Sequence, residues 1–257
     1  MNKAIFEKMN RFGETYWWYK GKKIFLEKMM RDFDSRFGKE KWSQGSLTVL
    51  DIGCGAGNMF DFLRRFGSIY GVEISMDALE YAKISGATRD KQNAKLVRGM
   101  NEYLPFGDEK FDIVASFDNL EHIQDDLKAL KQTRRVISPN GILLLTVPAC
   151  PCLWTWRDFQ LGHHRRYQRN QLKKILQNAE FKVETISYAY LCLFPLLLFK
   201  AIKDRFFPKP NQIKSDIRNI KEPWNGLLTG WLKMEAEWGA RIGLPFGTSL
   251  FVIARPI

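Results

Sequence analysis

Histidine is nearly absent from this chain of 257 residues. There are three, His122, His163 and His164, and two of them adjoin in the stretch LGHHRRYQ. Cysteine is scarce as well. Cys54, Cys150, Cys152 and Cys192 include no C-x-x-C pair, and four cysteines are too few for a disulfide framework at this length. Cys150 and Cys152 form a C-x-C with no second pair to complete a metal knuckle. A reducing, cytoplasmic setting is the expectation. Long apolar runs are missing too. The longest, YAYLCLFPLLLF at Tyr188–Phe199, is interrupted by Pro195 and falls short of the ~20 residues a spanning helix needs. The N-terminal MNKAIFEKMNRFGETYWWYK has no signal-peptide core. The expectation is a chain that does not cross a membrane but is able to lie on its inner face.

Acidic charge is in deficit. Against 40 lysines and arginines stand 28 acids, a net charge of +12. The excess is local: residues 157–174 carry +5 and residues 200–221 another +5. A basic concentration of this kind suits an acidic partner such as a phosphate or an anionic membrane face. It equally suits a solvated surface.

Apolar, β-branched runs alternate with helical patterns. LTVLDIG, SIYGVEI, AKLVRGM, FDIVASF, GILLLTVP, KVETISYAY and TSLFVIARP read as strands. NMFDFLRRFG, SMDALEYAKISG, IQDDLKALKQTRRVI and NQLKKILQNAEF read as helices, Ser75 as a helix cap and SPNG as a turn. The alternation predicts an α/β fold with a parallel sheet covered on both faces. Residues 1–46 read as an N-terminal helical lid, 47–190 with 247–257 as the core, and 191–246 as a helical, apolar and basic insertion.

VLDIGCGAGNMF joins the first strand to the first core helix. Glycines at 53, 55 and 57 let the backbone turn sharply and approach a ligand closely. The spacing is G-x-G-x-G, with Asn58 where a dinucleotide fingerprint has its third glycine, which disfavours a dehydrogenase. Glu73 closes the second strand, where a carboxylate accepts both hydroxyls of a ribose.

LDIGCGAG, GVEIS, LPFGDEKFDIVASFDNLEHIQD and SPNGILLLTVP together resemble the class I S-adenosylmethionine-dependent methyltransferases, in the ubiquinone-biosynthesis-like, type 11 group. The resemblance covers 47–148 and resumes at the last strand. It implies a Rossmann-like seven-stranded sheet of order 3-2-1-4-5-7-6 with the last strand antiparallel. It implies S-adenosylmethionine as cofactor and S-adenosylhomocysteine as product. The expected cofactor residues are Asp51, Gly53, Cys54, Gly55, Gly57, Glu73, Ile74, Met100, Asn101, Phe117 and Asp118. Many relatives have an Asp before LPF to read the adenine amine; here Met100 stands there, leaving Asn101 or a backbone group for that contact.

Methyl transfer is an in-line displacement that needs a positioned acceptor, losing its proton, in a dry site. DNLEH after the fourth strand resembles the E-x-x-E-H pattern of ubiquinone-biosynthesis O-methyltransferases, which bind a divalent metal there. Asp118, Glu121 and His122 would be its ligands; the alternative is that Glu121 and His122 cap the next helix. Two ligands on adjacent residues make a poor sole site, so no metal is expected. WTWRDFQLGHHRRYQRNQL follows the fifth strand and so lies over the pocket mouth. It resembles, with YWWYKGKK, a subgroup that has a WW box and a G-H-x-R-R-Y block and is linked to surface-glycan and polyprenyl-lipid pathways.

Histidine near neutrality accepts a hydroxyl proton, and paired arginines hold phosphate or carboxylate. His163, His164 and His122 are therefore the catalytic candidates. Tyr16, Trp17, Trp18, Lys23, Arg165, Arg166 and Tyr167 are the acceptor candidates, with Arg166 and Tyr167 also suited to holding the loop. The expected reaction is O-methylation of a small, lipid-linked or phosphorylated acceptor at a membrane surface. The alternatives are a soluble acceptor or RNA, and a non-catalytic cofactor binder. Nucleic acid is not the expected partner, because SFDN stands where base-amine methyltransferases carry an N-P-P-Y-type tetrad.

Overall fold

The computed structural model describes residues 17–37, 45–84, 94–206 and 224–257; Tyr16, nominated above, lies outside them. Seven strands form one sheet: β1 Leu47–Ile52, β2 Gly67–Glu73, β3 Lys95–Arg98, β4 Phe111–Phe117, β5 Ile137–Pro148, β6 Phe181–Ala189 and β7 Ser249–Pro256. The order is β3-β2-β1-β4-β5-β7-β6. The first five pair in parallel. β7 runs antiparallel between β5 and β6.

The strands are apolar at successive positions because both faces are buried. Val49, Ile113, Leu144 and Phe251 face one core, shared with α1 (Trp17–Phe37), α2 (Phe60–Leu63), α3 (Met76–Ile84) and α8 (Trp224–Ile242). Leu50, Val114, Leu145 and Val252 face the other, shared with α4 (Asp126–Val136) and α6 (Arg169–Asn178). The chain also forms α5 (Trp156–Leu161) and α7 (Phe194–Phe206). Ser75 accepts from the Ala78 amide, as a cap should.

Two local readings differ. NMFDFLRRFG forms only the four residues of α2, because the Phe66 amide bonds the Leu63 carbonyl and the chain turns at once into β2. SPNG is no simple stop. Ile137 already pairs with Phe111, and 138–141 bulge before Ile142 pairs with Ile113.

Strand order reverses between β1 and β4, which opens a crevice at their carboxyl ends. Both glycine-rich and DNLEH segments leave the sheet there. α1 covers one side of this crevice. Its face of Phe25, Leu26, Met29, Met30 and Phe33 is buried on the sheet. α8 packs on α1 through glycines: a Cβ on Gly21 would meet Leu232 at 2.5 Å, and one on Gly239 would meet Phe25 at 2.5 Å.

Candidate active site

The crevice has two halves. The first is built from backbone. Gly53, Gly55 and Gly57 have φ of +70°, +53° and +78°, a region that side chains strain. The Gly53 and Cys54 amides donate to the Val72 carbonyl at 2.8 and 3.1 Å, tying the loop to β2. A Cβ on Gly53 would stand 2.3 Å from the Asn119 side chain, so the loop also abuts the turn after β4. Glu73 is half-buried. Its two oxygens accept the amides of Gly55 at 3.1 Å and Ser75 at 2.9 Å, which fixes the carboxylate while lone pairs remain for further donors.

Around that carboxylate, Ile74, Met76, Met100 and Tyr103 are exposed apolar residues, while Asn101 is half-buried. An open glycine cradle, an oriented carboxylate and an apolar rim fit a methionine moiety, a ribose and an adenine in turn. Asp51 lies beneath, buried. Burial and the neighbouring Glu73 raise its pKa to about 8, against the opposing pull of Lys22. Cys54 is a buried filler whose thiol is pushed up by burial and by Asp51.

The second half is built from side chains. Lys22 is buried on α1 and donates to Asp118 at 2.5 Å. Asp118 has φ +48°, unusual for a residue other than glycine. Thr146 holds it by accepting the Asp118 amide at 3.2 Å and donating to its carboxylate at 2.9 Å. Burial alone would raise the Asp118 pKa; the Lys22 charge, with hydrogen bonds from Lys22 and Thr146, outweighs it and holds the group ionised. Trp18 stacks on the buried Tyr190 ring at 4.3 Å, and the Tyr190 hydroxyl donates to the Trp18 carbonyl at 3.1 Å.

Beyond Asp118 the chain makes a short turn, Leu120–His122. Glu121 is 1% exposed, and neither of its carboxylate oxygens has a hydrogen-bond partner. Burial and the nearby Asp118 push its pKa well up. Asp158 on α5 faces it across the site mouth. Its carboxylate accepts from the Thr155 amide at 2.9 Å, from Arg166 Nε at 2.8 Å and from His163 Nδ1 at 3.0 Å. Those partners overcome its burial and lower its pKa to about 2. His163 Nε2 stands 3.9 Å from Glu121 Oε1. His122 donates from Nδ1 to the Gly162 carbonyl at 3.3 Å, and its ring meets His163 edge to face at 4.7 Å. Partial burial of the ring and the neighbouring His163 bring the His122 pKa down to about 4, so this imidazole is neutral at pH 7.

The structure brings His122, His163, Glu121 and Asp118 together beside the glycine cradle. His164 lies one step away, exposed, its amide donating to the Glu121 carbonyl at 2.8 Å. Of the acceptor candidates, Trp17 and Trp18 line the lid helix. Lys23 points instead to Asp61 on the surface, at 4.0 Å. Arg165 pairs with Asp126 at 2.7 Å and Arg166 with Asp158. Tyr167 is fully buried and donates to Asp126 at 2.9 Å. These three hold the loop that presents the histidines. Phe117 is half-buried against the core.

Lys22, Asn119 and Tyr190 are site residues that the motifs did not single out. Lys22 had a signal. It lies three, four and seven residues before Phe25, Leu26 and Met29, so it is a lysine on the apolar face of an amphipathic helix.

Among proteins of known name, the chain is 31% identical over 135 residues to a demethylmenaquinone methyltransferase of Staphylococcus aureus, covering 51% of this chain and 52% of that one. The chain thus spans about half the length of that relative. It is 27% identical over 175 residues to an uncharacterized protein of Methanocaldococcus jannaschii, covering 65% and 66%. Its fold is that of a Bacillus halodurans protein, with TM-score 0.59, 19% identity and coverage of 87% and 98%. It is also that of a SAM-dependent methyltransferase from Aquifex aeolicus, with TM-score 0.52, 18% identity and coverage of 73% and 93%. A family profile described as a methyltransferase domain matches residues 22–186, well over half the chain. The glycine cradle and Glu73 agree with it, and the chain belongs to the S-adenosylmethionine-dependent methyltransferase family.

Proposed function

We propose that this chain transfers a methyl group to an oxygen of a lipid-linked or phosphorylated acceptor at a membrane surface. The observation that carries the membrane part is the outer face of α8. Trp224, Leu227, Trp231, Met234, Trp238 and Ile242 recur every three or four residues, and all are more than half exposed. The opposite face, with Leu232 and Ala236, is already buried on α1. α7 repeats the pattern with Leu196, Phe199, Ile202 and Phe206 outward, and Lys200, Lys203 and Arg205 along the same helix. Apolar stripes rich in tryptophan with cations beside them suit an anionic bilayer interface. No helix among the described residues is long and apolar enough to cross a membrane.

The α7 stripe adjoins the segment that leads into α5. Arg205 donates to the Cys152 carbonyl at 3.1 Å, just before α5, and α5 itself exposes the stacked pair Trp156 and Phe159. An acceptor anchored in lipid would reach the histidine cluster over this rim. Demethylmenaquinone, the substrate in the staphylococcal relative's name, is itself a lipid-tailed ring compound.

S-adenosylmethionine, when bound, supplies an electrophilic methyl group. The chain's own work is positioning and proton removal. The lid helix and the Trp18–Tyr190 stack exclude water. The Lys22–Asp118 pair fixes the turn that carries Glu121 and His122. Asp158 and Gly162 orient the two histidine rings, so that a neutral imidazole there would take the proton of the acceptor O–H.

The test is transfer of labelled methyl from S-adenosylmethionine into host extract, partitioned into lipid and aqueous phases. Label in the lipid phase, together with sedimentation on anionic vesicles that Trp231→Ala and Trp238→Ala weaken, is expected. Label confined to the aqueous phase sinks the lipid reading. Stable dimers in solution that the same substitutions dissociate would assign the stripe to a second copy instead.

A further inference from the structure

We propose that Cys150 and Cys152 form a redox-modification site, a thiol pair that a low-molecular-weight disulfide converts reversibly into an internal disulfide beside the histidine loop. The two cysteines stand just past the carboxyl end of β5, joined by Pro151. Cys152 is exposed and Cys150 half-buried. Burial raises the pKa of the Cys150 thiol, and so does the Cys152 thiol, which shares a hydrogen bond with it. The two sulfurs are therefore neighbours. The remaining thiols are placed differently: Cys54 is buried, and Cys192 is engaged by Glu235.

The backbone holds the pair close and under strain. Cys150 has φ +59° and ψ +95°, outside even the left-handed helical region. Strain of this kind gathers at switches and binding clamps. The turn is fixed by the Leu153 amide on the Cys150 carbonyl at 2.9 Å and by the Trp154 amide on the Pro151 carbonyl at 3.0 Å. Two Cα atoms separated by one residue span at most roughly 7 Å, and a turn shortens that into the ~4.4–6.8 Å range that a disulfide bridges.

The exposed Cys152 reacts first. Its sulfur attacks the incoming disulfide, forms a mixed disulfide and releases one thiol. Cys150 then attacks the Cys152 sulfur, the Cys150–Cys152 bond forms, and the second thiol leaves. The cysteine pair is oxidised, the incoming disulfide is reduced to two thiols, and the two cysteine protons end on those thiols. In a reducing compartment such a pair stays open and closes only when the thiol pool is oxidised. Neighbouring elements feel the bond. Cys150 Sγ donates to the Gly247 carbonyl at 3.4 Å, a contact that ends when the proton is lost. The Cys150 amide donates to the Tyr167 carbonyl at 3.0 Å, at the base of the histidine loop. The Cys152 carbonyl accepts Arg205 of α7 at 3.1 Å. Oxidation therefore acts on both the histidine loop and α7.

The full-length reduced chain is incubated with glutathione disulfide, quenched with N-ethylmaleimide, and followed by intact mass and peptide mapping. The expected product has lost two hydrogens, carries its bond between Cys150 and Cys152, and reverts with dithiothreitol. Cys150→Ser should stop at a glutathione adduct on Cys152, and Cys152→Ser should react roughly tenfold more slowly. S-adenosylhomocysteine affinity, measured alongside, shows that both variants remain folded. Absence of reaction, a lasting glutathione adduct on the unsubstituted chain, or a bond that uses Cys54 or Cys192 overturns the proposal. So does hydrogen exchange at the Leu153 and Trp154 amides that is the same in both redox states, because closure should speed it about tenfold. Disulfide formation does not depend on the acceptor. If it holds while label stays out of the lipid phase, the acceptor reading falls and the thiol pair stands.

Discussion

The two halves of the crevice are built from different material. The cofactor half uses backbone: three glycines at positive φ and one carboxylate braced by two amides. The acceptor half uses side chains from α1, the turn after β4, and the loop between α5 and α6, crossed by buried ion pairs and hydrogen bonds. A backbone cradle is specified by a few adjacent residues and tolerates change around it. A side-chain cluster is specified by residues more than a hundred positions apart and changes when any one of them does.

If the halves are separate in kind, His163→Gln should lower turnover about 100-fold or more, the usual worth of a lost proton-transfer group, with S-adenosylhomocysteine affinity unchanged. Calorimetry and single-turnover assays check this. Cofactor loss in the same variant would merge the two halves into one unit. Lys22→Met should cost about 1 to 3 kcal/mol in urea unfolding, because it leaves the half-buried Asp118 carboxylate without its cation. A smaller loss would mean that water reaches the pair.

Gly53→Ala tests the other half. Strain at φ +70° and a contact at 2.3 Å should weaken S-adenosylhomocysteine binding roughly 100-fold, near 3 kcal/mol. The smallest effect is one of pH. Asp158 has its pKa lowered to about 2 from an ordinary 3.8. A depressed carboxylate stabilises the fold above its unfolded value, and that contribution, roughly 2 kcal/mol, disappears as pH falls from 4 toward 2. Asp158→Asn should flatten the acid limb of the stability curve over that window. An unchanged limb would show that Asp158 does not carry it.

Legibility in the sequence follows the same division. β4 stands at Phe111–Phe117 as its apolar pattern marks it, and the other strands lie within a few residues of theirs, because burial on both faces leaves an unmistakable run. The glycine cradle and Glu73 lie close in sequence, so spacing alone exposes them. The acceptor cluster shows only as fragments. HH and LEH each look like a local motif, and nothing adjacent reveals that Lys22 claims Asp118 or that His163 turns toward Glu121. Arg165, Arg166 and Tyr167 look like an anion-binding fork until Asp126 and Asp158 are placed beneath them. The SPNG segment reads as a turn, and only pairing with β4 makes it a bulge within β5.

The placement of β7 bears on how the molecule is made. β6 pairs with β7, not with β5, and β7 is later in the chain than α7 and α8. During synthesis β6 emerges with its partner still unmade, and the gap beside β5 stays open until residues 249–256 leave the ribosome. In that interval the nascent chain carries an unpaired strand edge and two helices with tryptophan- and phenylalanine-bearing outer faces. Exposed edges of this kind invite pairing with other chains. Emergence of residues 249–256, rather than of the glycine cradle, is therefore the event that completes this sheet.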